Sequence, residues 1–151
     1  MSVLTAKISV DPKGIWDRYD FREFLRSVHK DERLNKIYYI VTELDQNDFE
    51  QAATVNDIKA LYSIPTANVY YVADENAKAT VLSNLGVEFH FDGNSGEVDA
   101  FNLQFASRVP KFTAFYVNFI RNEYDQLMKY IDRFRLELNI FLNNQVYNKH
   151  D

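Results

Sequence analysis

The chain has 151 residues, 46% hydrophobic and 26% charged, which is typical of one compact globular domain. It has no cysteine, which excludes disulfide scaffolds, thiol catalysis and cysteine zinc sites, and its net charge of −5 argues against broad electrostatic capture of nucleic acid. No apolar run approaches the roughly 18 residues of a membrane span, and the N-terminus lacks a signal peptide's apolar centre, so we expect a cytoplasmic protein.

The first predicted strand ends on a carboxylate. Ile8 and Val10 form a short apolar run of strand type, and Asp11 follows directly before Pro12 and Gly14, residues typical of a tight turn. In open α/β folds, ligands bind at the carboxyl ends of parallel strands, so Asp11 is the first candidate for chemistry. A plain turn is the alternative interpretation, because Asp, Pro and Gly favour turns in any case.

A helix of about ten residues is predicted next. Asp20 and Glu23 form a capping-box pattern, and apolar residues then recur at helical spacing up to Val28. The basic stripe on the opposite side of this helix consists of Arg18, Arg22, Arg26 and Lys30. Such a stripe is either a solvated face, as is usual in a globular domain, or a contact for an acidic partner surface.

Three further strands are predicted. Residues 36–42 and residues 68–73 lack an alternation of polar and apolar side chains, which is typical of strands covered on both faces. Thr42 ends the first of these, which places a second polar side chain at a strand exit. Residues 87–91 alternate and lead to Asp92. The regular alternation of strands and helices predicts an α/β fold with a right-handed parallel sheet, arranged as a three-layer sandwich.

The segments between and after these strands carry helix and loop signals. Asn47 or Asp48 can cap the helix after the second strand, and Gly86 stands where a left-handed C-cap is expected for the next helix. Residues 92–96 predict a loop. Residues 101–115 are irregular, and we expect a connection that holds a short strand or a turn.

The C-terminal part of the chain has the pattern of a long amphipathic helix, so we predict an α/β domain over residues 1–112 and a helix within residues 113–148. The heptad seam of this helix consists of Val117, Ile120, Tyr124, Leu127, Ile131, Phe134, Leu138 and Phe141. A helix of about thirty residues is ~45 Å long, more than a small domain easily covers. It therefore either packs on the domain or binds a partner, including a second copy in a homodimer. In the second case the contact is formed by Phe134, Leu138 and Phe141.

Four motifs, in order over about residues 6–102, resemble the HAD (haloacid dehalogenase-like) superfamily of phosphohydrolases, especially its small phage members. The stretches that carry the likeness are KISVDPKGIW, YYIVTELD and DENAKATVLSNLGVEFHFDGNSGEVDAFN. The resemblance implies that Asp11 is the nucleophile and that the Thr42 hydroxyl binds phosphate. It also implies that Lys78 neutralises the phosphate and that Asp92 holds Mg²⁺ together with Asp11.

Two positions depart from the HAD pattern. Lys13 stands where the family has its second Asp, the general acid, and Gly93 follows Asp92 where many members have a second acid. A phosphotransfer nucleophile needs a metal to offset charge and a proton donor for the leaving oxygen. These departures favour a catalytically degraded member, without a cofactor, that binds a macromolecular partner. The alternative is a working Mg²⁺-dependent phosphatase that acts on a small phosphate ester or nucleotide.

The partner that the resemblance implies is a protein. The motif set is similar to that of a phage protein that terminates host transcription, which implies bacterial RNA polymerase as the partner and the host cytoplasm as the compartment. Direct nucleic-acid binding, through a local basic patch, is more weakly supported. The histidines His29, His90 and His150 have no ligand-like spacing, so no zinc site is predicted.

Overall fold

A computed structural model describes residues 5–15, 19–30, 32, 35–56, 64–118 and 124–149. These residues form an α/β fold. The strands are β1 (Thr5–Asp11), β2 (Asn35–Thr42), β3 (Val69–Tyr71), β4 (Phe89–Asp92) and β5 (Thr113–Tyr116). The helices are α1 (Tyr19–His29), α2 (Gln46–Asn56), α3 (Glu75–Leu85), α4 (Ser95–Gln104) and α5 (Tyr124–Lys149), and a 3₁₀ turn (Thr66–Asn68) precedes β3.

The five strands form one parallel sheet in the order β3-β2-β1-β4-β5. Parallel neighbours need crossover connections, and the chain supplies a helix between each pair of consecutive strands. The predicted α/β class with a parallel sheet is therefore confirmed. Because all strands are parallel, their carboxyl ends meet at one edge, and the strand order reverses direction between β1 and β4 at that edge.

The core consists of two clusters of buried apolar side chains. The first cluster combines β1 and β4 with α1 and α5, and its members include Ile8, Val10, Phe24, Phe91 and Phe134. The second combines β2 and β5 with α3 and α4, and its members include Val41, Leu82, Val98, Phe101 and Ala114. Side chains of a strand alternate between the two faces of a sheet. Phe89 and Phe91 of β4 belong to the first cluster, whereas His90 and Asp92, which alternate with them, are buried polar residues.

Helix α5 buries its apolar side against the sheet. Phe134, Leu138 and Phe141 are only 2%, 1% and 8% exposed. The Phe134 ring contacts the rings of Phe89, Phe91 and Phe115 at centroid distances of 5.4, 5.5 and 6.2 Å. The structure thus contradicts the prediction that these turns of the helix are left for a partner. They close the chain's own core, because their side chains belong to the same buried cluster as those of β1, β4 and α1.

The start of α5 also differs from the predicted seam. Val117 follows β5 in an extended segment, where its N–H donates to the Asp92 carbonyl at 2.9 Å. The predicted boundary at residue 112 directly precedes β5, a strand of the sheet, because residues 113–116 pair with β4 rather than begin the helix. Ile120 and the side chains of Tyr124 and Leu127 lie outside the described residues.

Two helix starts differ from the sequence prediction, and one helix end confirms it. The side chain of Asp45, not Asn47 or Asp48, caps α2, since Asp45 Oδ1 accepts a hydrogen bond from the Asp48 N–H at 2.8 Å. Helix α4 occupies residues 95–104, although residues 92–96 had been predicted as a loop. Gly86 ends α3 with a left-handed φ of 69°, as predicted.

In the part of the chain that the structure describes, no helix combines the length and the apolar character needed to cross a membrane.

Candidate functional site

Polar side chains converge at the carboxyl edge of the sheet. Asp11, Thr42 and Asp92 are the last residues of β1, β2 and β4, and the register places Asp11 directly opposite Asp92. Lys78 reaches the same place from the first turn of α3, and Glu97 from the first turn of α4. All five side chains are buried. The strand-exit positions thus bring the four residues implied by the HAD resemblance into one group, together with Glu97.

The Lys78 ammonium lies at the centre of this group and is completely buried. Its Nζ is 2.6 Å from Asp11 Oδ2, 3.0 Å from Glu43 Oε2, 3.0 Å from Asp92 Oδ2 and 2.6 Å from Glu97 Oε2. Burial by itself would lower the pKa of Lys78, but the carboxylates of Asp11 and Asp92 outweigh it and raise that pKa. The ammonium is therefore charged and is held by four carboxyl groups.

Asp11 is fixed by hydrogen bonds to both of its oxygens. The Thr42 hydroxyl donates to Asp11 Oδ1 at 2.7 Å, and the Lys13 N–H donates to the same oxygen at 3.0 Å. The Glu43 N–H donates to Oδ2 at 3.3 Å. Donors on both oxygens therefore fix the orientation of the Asp11 carboxyl group at the end of β1.

Asp92 is held in a similar way. The N–H of Asn94 donates to Asp92 Oδ1 at 2.9 Å, and His90 Nε2 lies 2.9 Å from Oδ2. Burial opposes ionisation of Asp92, but the hydrogen bond to His90 and the charge of Lys78 outweigh it, so the pKa of Asp92 lies below its usual value. Asp92 is therefore an anion at neutral pH despite its burial.

The two glutamates behave differently from each other. Burial and a hydrogen bond to Glu43 raise the pKa of Glu97 to about 7, although Lys78 acts in the opposite direction. Burial opposes ionisation of Glu43 as well, but the hydrogen bond from Glu97 and the nearby Lys78 bring the pKa of Glu43 below its usual value. Glu97 therefore carries the proton that these neighbouring carboxyl groups retain near neutral pH.

The group as a whole has excess negative charge. Asp11, Glu43 and Asp92 face one ammonium, so negative charge remains even when Glu97 is protonated. Buried carboxylates that are not offset are costly, and bound cations commonly supply the missing charge. Asp11, Asp92 and Glu97 each offer an oxygen, and these atoms lie within 4.8 Å of one another. An all-carboxylate set of this kind suits Mg²⁺, Mn²⁺ or Ca²⁺ rather than zinc.

A cleft of about 470 Å³ opens onto this group of side chains. Its lining includes Asp11, Lys13, Glu43, Asp92, Asn94 and Tyr116. The exposed Lys13 lies in a turn in which the Ile15 N–H donates to the Pro12 carbonyl at 3.0 Å, and Gly14 adopts a φ of 81°. This geometry fits a type II turn, which favours glycine at that position. The turn places the Lys13 side chain at the wall of the cleft, beside Asp11.

The second departure from the HAD pattern, Gly93, has a steric explanation. A Cβ atom at residue 93 would lie 3.0 Å from the Ile15 side chain and 3.3 Å from the Lys13 carbonyl. A side chain at this position would therefore crowd the turn after β1, which would have to give by a few tenths of an ångström. The carboxyl group of Glu97, in the first turn of α4, lies close to that of Asp92.

Sequence reasoning missed Glu97, although a signal was present. Asn94 and Glu97 have the spacing of an N-cap residue and the third residue after it. In the structure, the Asn94 side chain accepts a hydrogen bond from the Glu97 N–H at 3.1 Å. Val98 and Phe101 then repeat at helical spacing and are buried. These two features together would have predicted α4 and would have placed Glu97 beside Asp92.

The residues predicted to bind a partner lie elsewhere. Phe134, Leu138 and Phe141 belong to the first apolar cluster, away from the cleft. Of the basic stripe, Arg26 forms an ion pair with Glu23, Arg22 is partly buried, and Arg18 lies outside the described residues. Whether the stripe binds an acidic surface stays a prediction.

Comparison of the chain with protein-family models, with curated proteins and with solved structures gives no match.

Proposed function

We propose that the cleft binds a divalent cation together with the phosphate of a small ester or nucleotide, and that the protein is a phosphohydrolase of the type that its HAD-like motifs imply. The observation that carries this proposal is the group of four carboxyl side chains around the single ammonium of Lys78, three of them buried and that of Glu43 partly exposed. Its position adds support, because ligands of open α/β sheets bind where the strand order reverses, here between β1 and β4. Apolar clusters formed with different sets of helices support the three-layer arrangement expected for such a protein.

The donor set fits a hard divalent cation. Asp11, Asp92 and Glu97 would hold it, and Glu97 would supply the acid that is missing at Gly93. Such a cation offsets the charge of the carboxylates and polarises a phosphoryl oxygen. It would also favour the loss of the proton that Glu97 retains in its absence.

The roles of the other residues follow from their contacts. One oxygen of Asp11 attacks phosphorus, a new O–P bond forms, and the bond from phosphorus to the leaving oxygen breaks. Water then hydrolyses the aspartyl phosphate and regenerates the carboxylate. Thr42 and the N–H groups of Lys13 and Glu43 orient Asp11, and Lys78 offsets negative charge beside it. The ammonium of Lys13 stabilises negative charge on the leaving oxygen.

Hydrolysis of an aryl phosphate with Mg²⁺ tests this proposal. We expect the wild type to be active and Asp11→Asn to fall to the background rate, because the variant lacks the nucleophile. Asp99→Asn is the matched control, since Asp99 is an exposed acid on α4, the helix that carries Glu97. If the wild type and Asp11→Asn hydrolyse the ester equally, the proposal is wrong.

Lys13 favours a second candidate function. Without an acid at this position, the protein would be a degraded phosphohydrolase that binds a macromolecule, and the partner implied by the resemblance is bacterial RNA polymerase. Lys13→Asp separates the two candidates, because it restores the acid of the HAD pattern. An inactive wild type with an active Lys13→Asp variant would support the second candidate. Activity that is present in the wild type and is lost in Asp11→Asn would support the first.

A further inference from the structure

A second pair of polar residues lies directly beneath Asp11 and Asp92. Ser9 of β1 and His90 of β4 are partners in the parallel register, one alternation before Asp11 and Asp92, and both are completely buried. Ser9 Oγ is 2.6 Å from His90 Nδ1, and His90 Nε2 is 2.9 Å from Asp92 Oδ2. A continuous line of hydrogen bonds therefore runs from β1 through the imidazole to the candidate metal ligand.

The chemistry of the three groups sets the direction of this line. An ionised Asp92 carboxylate can only accept, so His90 must donate from Nε2. In the neutral ring, Nδ1 then has no proton and accepts a hydrogen bond from the Ser9 hydroxyl. The Phe101 ring stands edge-on to the imidazole, with centroids 5.8 Å apart, and limits its rotation.

We infer that Ser9 and His90 are positioning residues that fix the orientation of the Asp92 carboxylate for cation binding. The Asp92 carboxylate sets the imidazole tautomer, and Ser9 supports it by donating a hydrogen bond to Nδ1. His90 Nε2–H then holds Asp92 Oδ2, while the Asn94 N–H holds Oδ1. Groups that orient a metal ligand typically change metal affinity by about 10–100-fold when they are removed. The inference rests on the proposed function for its cation, but the hydrogen-bond direction can be tested without one.

The first experiment determines the His90 tautomer in the metal-free protein by ¹⁵N NMR of the imidazole nitrogens, with the ring neutral and the signals assigned from His90→Gln. We expect a proton on Nε2 and none on Nδ1, and we expect this preference to weaken in Ser9→Ala. A proton on Nδ1, with Ser9 as the acceptor, would overturn the inference whether or not the protein binds a cation.

The second experiment measures Mn²⁺ affinity by electron paramagnetic resonance. We expect His90→Phe to bind about 10–100-fold more weakly than the wild type. His90→Gln should recover part of the loss, because its amide places a donor near the position of Nε2. His29→Gln, at the end of α1, is the control and should bind like the wild type. Ser9→Ala removes only a hydroxyl and should show a smaller loss of the same sign, which keeps the test valid if His90→Phe does not fold.

The outcomes separate the inference from the proposed function. A wild type that binds no Mn²⁺ contradicts the proposed function, and the tautomer alone then decides the hydrogen-bond direction. If the wild type binds Mn²⁺ and the folded variants His90→Phe and Ser9→Ala bind it with the same affinity as the wild type, the inference is wrong. The proposed function is then left intact.

Discussion

Alternate residues of β4 lie in two different environments. Phe89 and Phe91 contact α1 and α5 through aromatic rings, and Phe91 stacks on Phe115 with centroids 5.1 Å apart. His90 and Asp92 point into a buried polar group that includes Lys78 and three further carboxyl groups. The same short strand thus contributes to an aromatic cluster on one face and to the candidate site on the other.

The difference lies in what burial does to each set of side chains. Burying an aromatic ring is favourable in proportion to its area, and ring–ring contacts add to it. Burying carboxylates costs free energy, and one ammonium does not offset the carboxylates of Asp11, Glu43 and Asp92 even when Glu97 is protonated. The aromatic face therefore stabilises the fold, whereas the charged face is the site proposed above for a cation. This contrast predicts opposite results for substitutions on the two faces.

The largest expected effect is that of Leu138→Asp on α5. Leu138 is 1% exposed, so the variant would bury an unpaired carboxylate among aromatic rings. We expect a loss of more than about 4 kcal/mol in the free energy of unfolding and a largely unfolded protein. Leu136→Asp is the matched control, because Leu136 is 59% exposed, and its effect should be within about 0.5 kcal/mol.

Circular dichroism with urea denaturation would measure both variants. A folded Leu138→Asp that only loses self-association would show that α5 serves a partner, contrary to its burial in the structure.

The next effect is that of Phe91→Ala. Phe91 is completely buried between α1, β5 and α5, and removal of such a ring typically costs about 3–5 kcal/mol. We expect the variant to keep its affinity for Mn²⁺ at a temperature at which it is still folded, because the ring lies on the opposite face from the site. Loss of that affinity in the folded variant would mean that the two faces are coupled.

Glu88 provides a carboxylate at the other end of β4, away from Lys78. Burial raises the pKa of Glu88 to about 7, and one of its oxygens has no hydrogen-bond partner. The unfolded chain releases this proton near pH 4.3, so the folded state binds the proton more tightly. The stability from protonated Glu88 is thus full below about pH 4.3 and is lost as the pH rises to about 7.

We therefore expect the free energy of unfolding of the wild type to fall by about 3 kcal/mol over this range. Glu88→Gln has no carboxyl group at this position and should not show this decrease. Urea denaturation of both proteins at several pH values measures it. An identical pH dependence in the two proteins would show that Glu88 is ionised in the folded state.

The smallest effect on stability is expected for Asp92→Asn, one residue from Phe91. The variant loses charge-assisted hydrogen bonds to His90 and Lys78, but it also relieves repulsion among the clustered carboxylates. We expect a change within about 1 kcal/mol by urea denaturation, together with loss of cation binding. A destabilisation as large as that of Phe91→Ala would show that the charged group holds the fold.

The sequence was sufficient to predict part of the group around Asp11, but not Glu43 or Glu97. Asp11, Thr42 and Asp92 each follow an apolar strand, and parallel strands bring such exits to one edge. Lys78 was placed by the HAD-like motif, and the structure puts it in the first turn of α3. The strand exits are thus set by local patterns, which is why the sequence reveals them.

The pairing of Ser9 with His90 and the packing of α5 could not be predicted from the sequence, because both depend on contacts between distant parts of the chain. Ser9 and His90 become neighbours only through the register of β1 against β4, and a search for metal-ligand spacing along the chain does not detect that pairing. The role of α5 depended on how much apolar surface β1 and β4 present on one face. The heptad seam is an equally good pattern for an internal or an external contact, and only the packing of Phe134 on the sheet distinguishes them.

Thermal unfolding with and without Mg²⁺, for the wild type and Asp92→Asn, tests the central claim most directly. A ligand that binds only the folded state raises its stability in proportion to the logarithm of ligand concentration over Kd. If Asp11, Asp92 and Glu97 bind a cation, we expect Mg²⁺ to raise the Tm of the wild type and to leave the Tm of Asp92→Asn unchanged. A wild-type Tm that does not respond to Mg²⁺, or an equal rise in both proteins, would contradict a cation site at Asp11, Asp92 and Glu97.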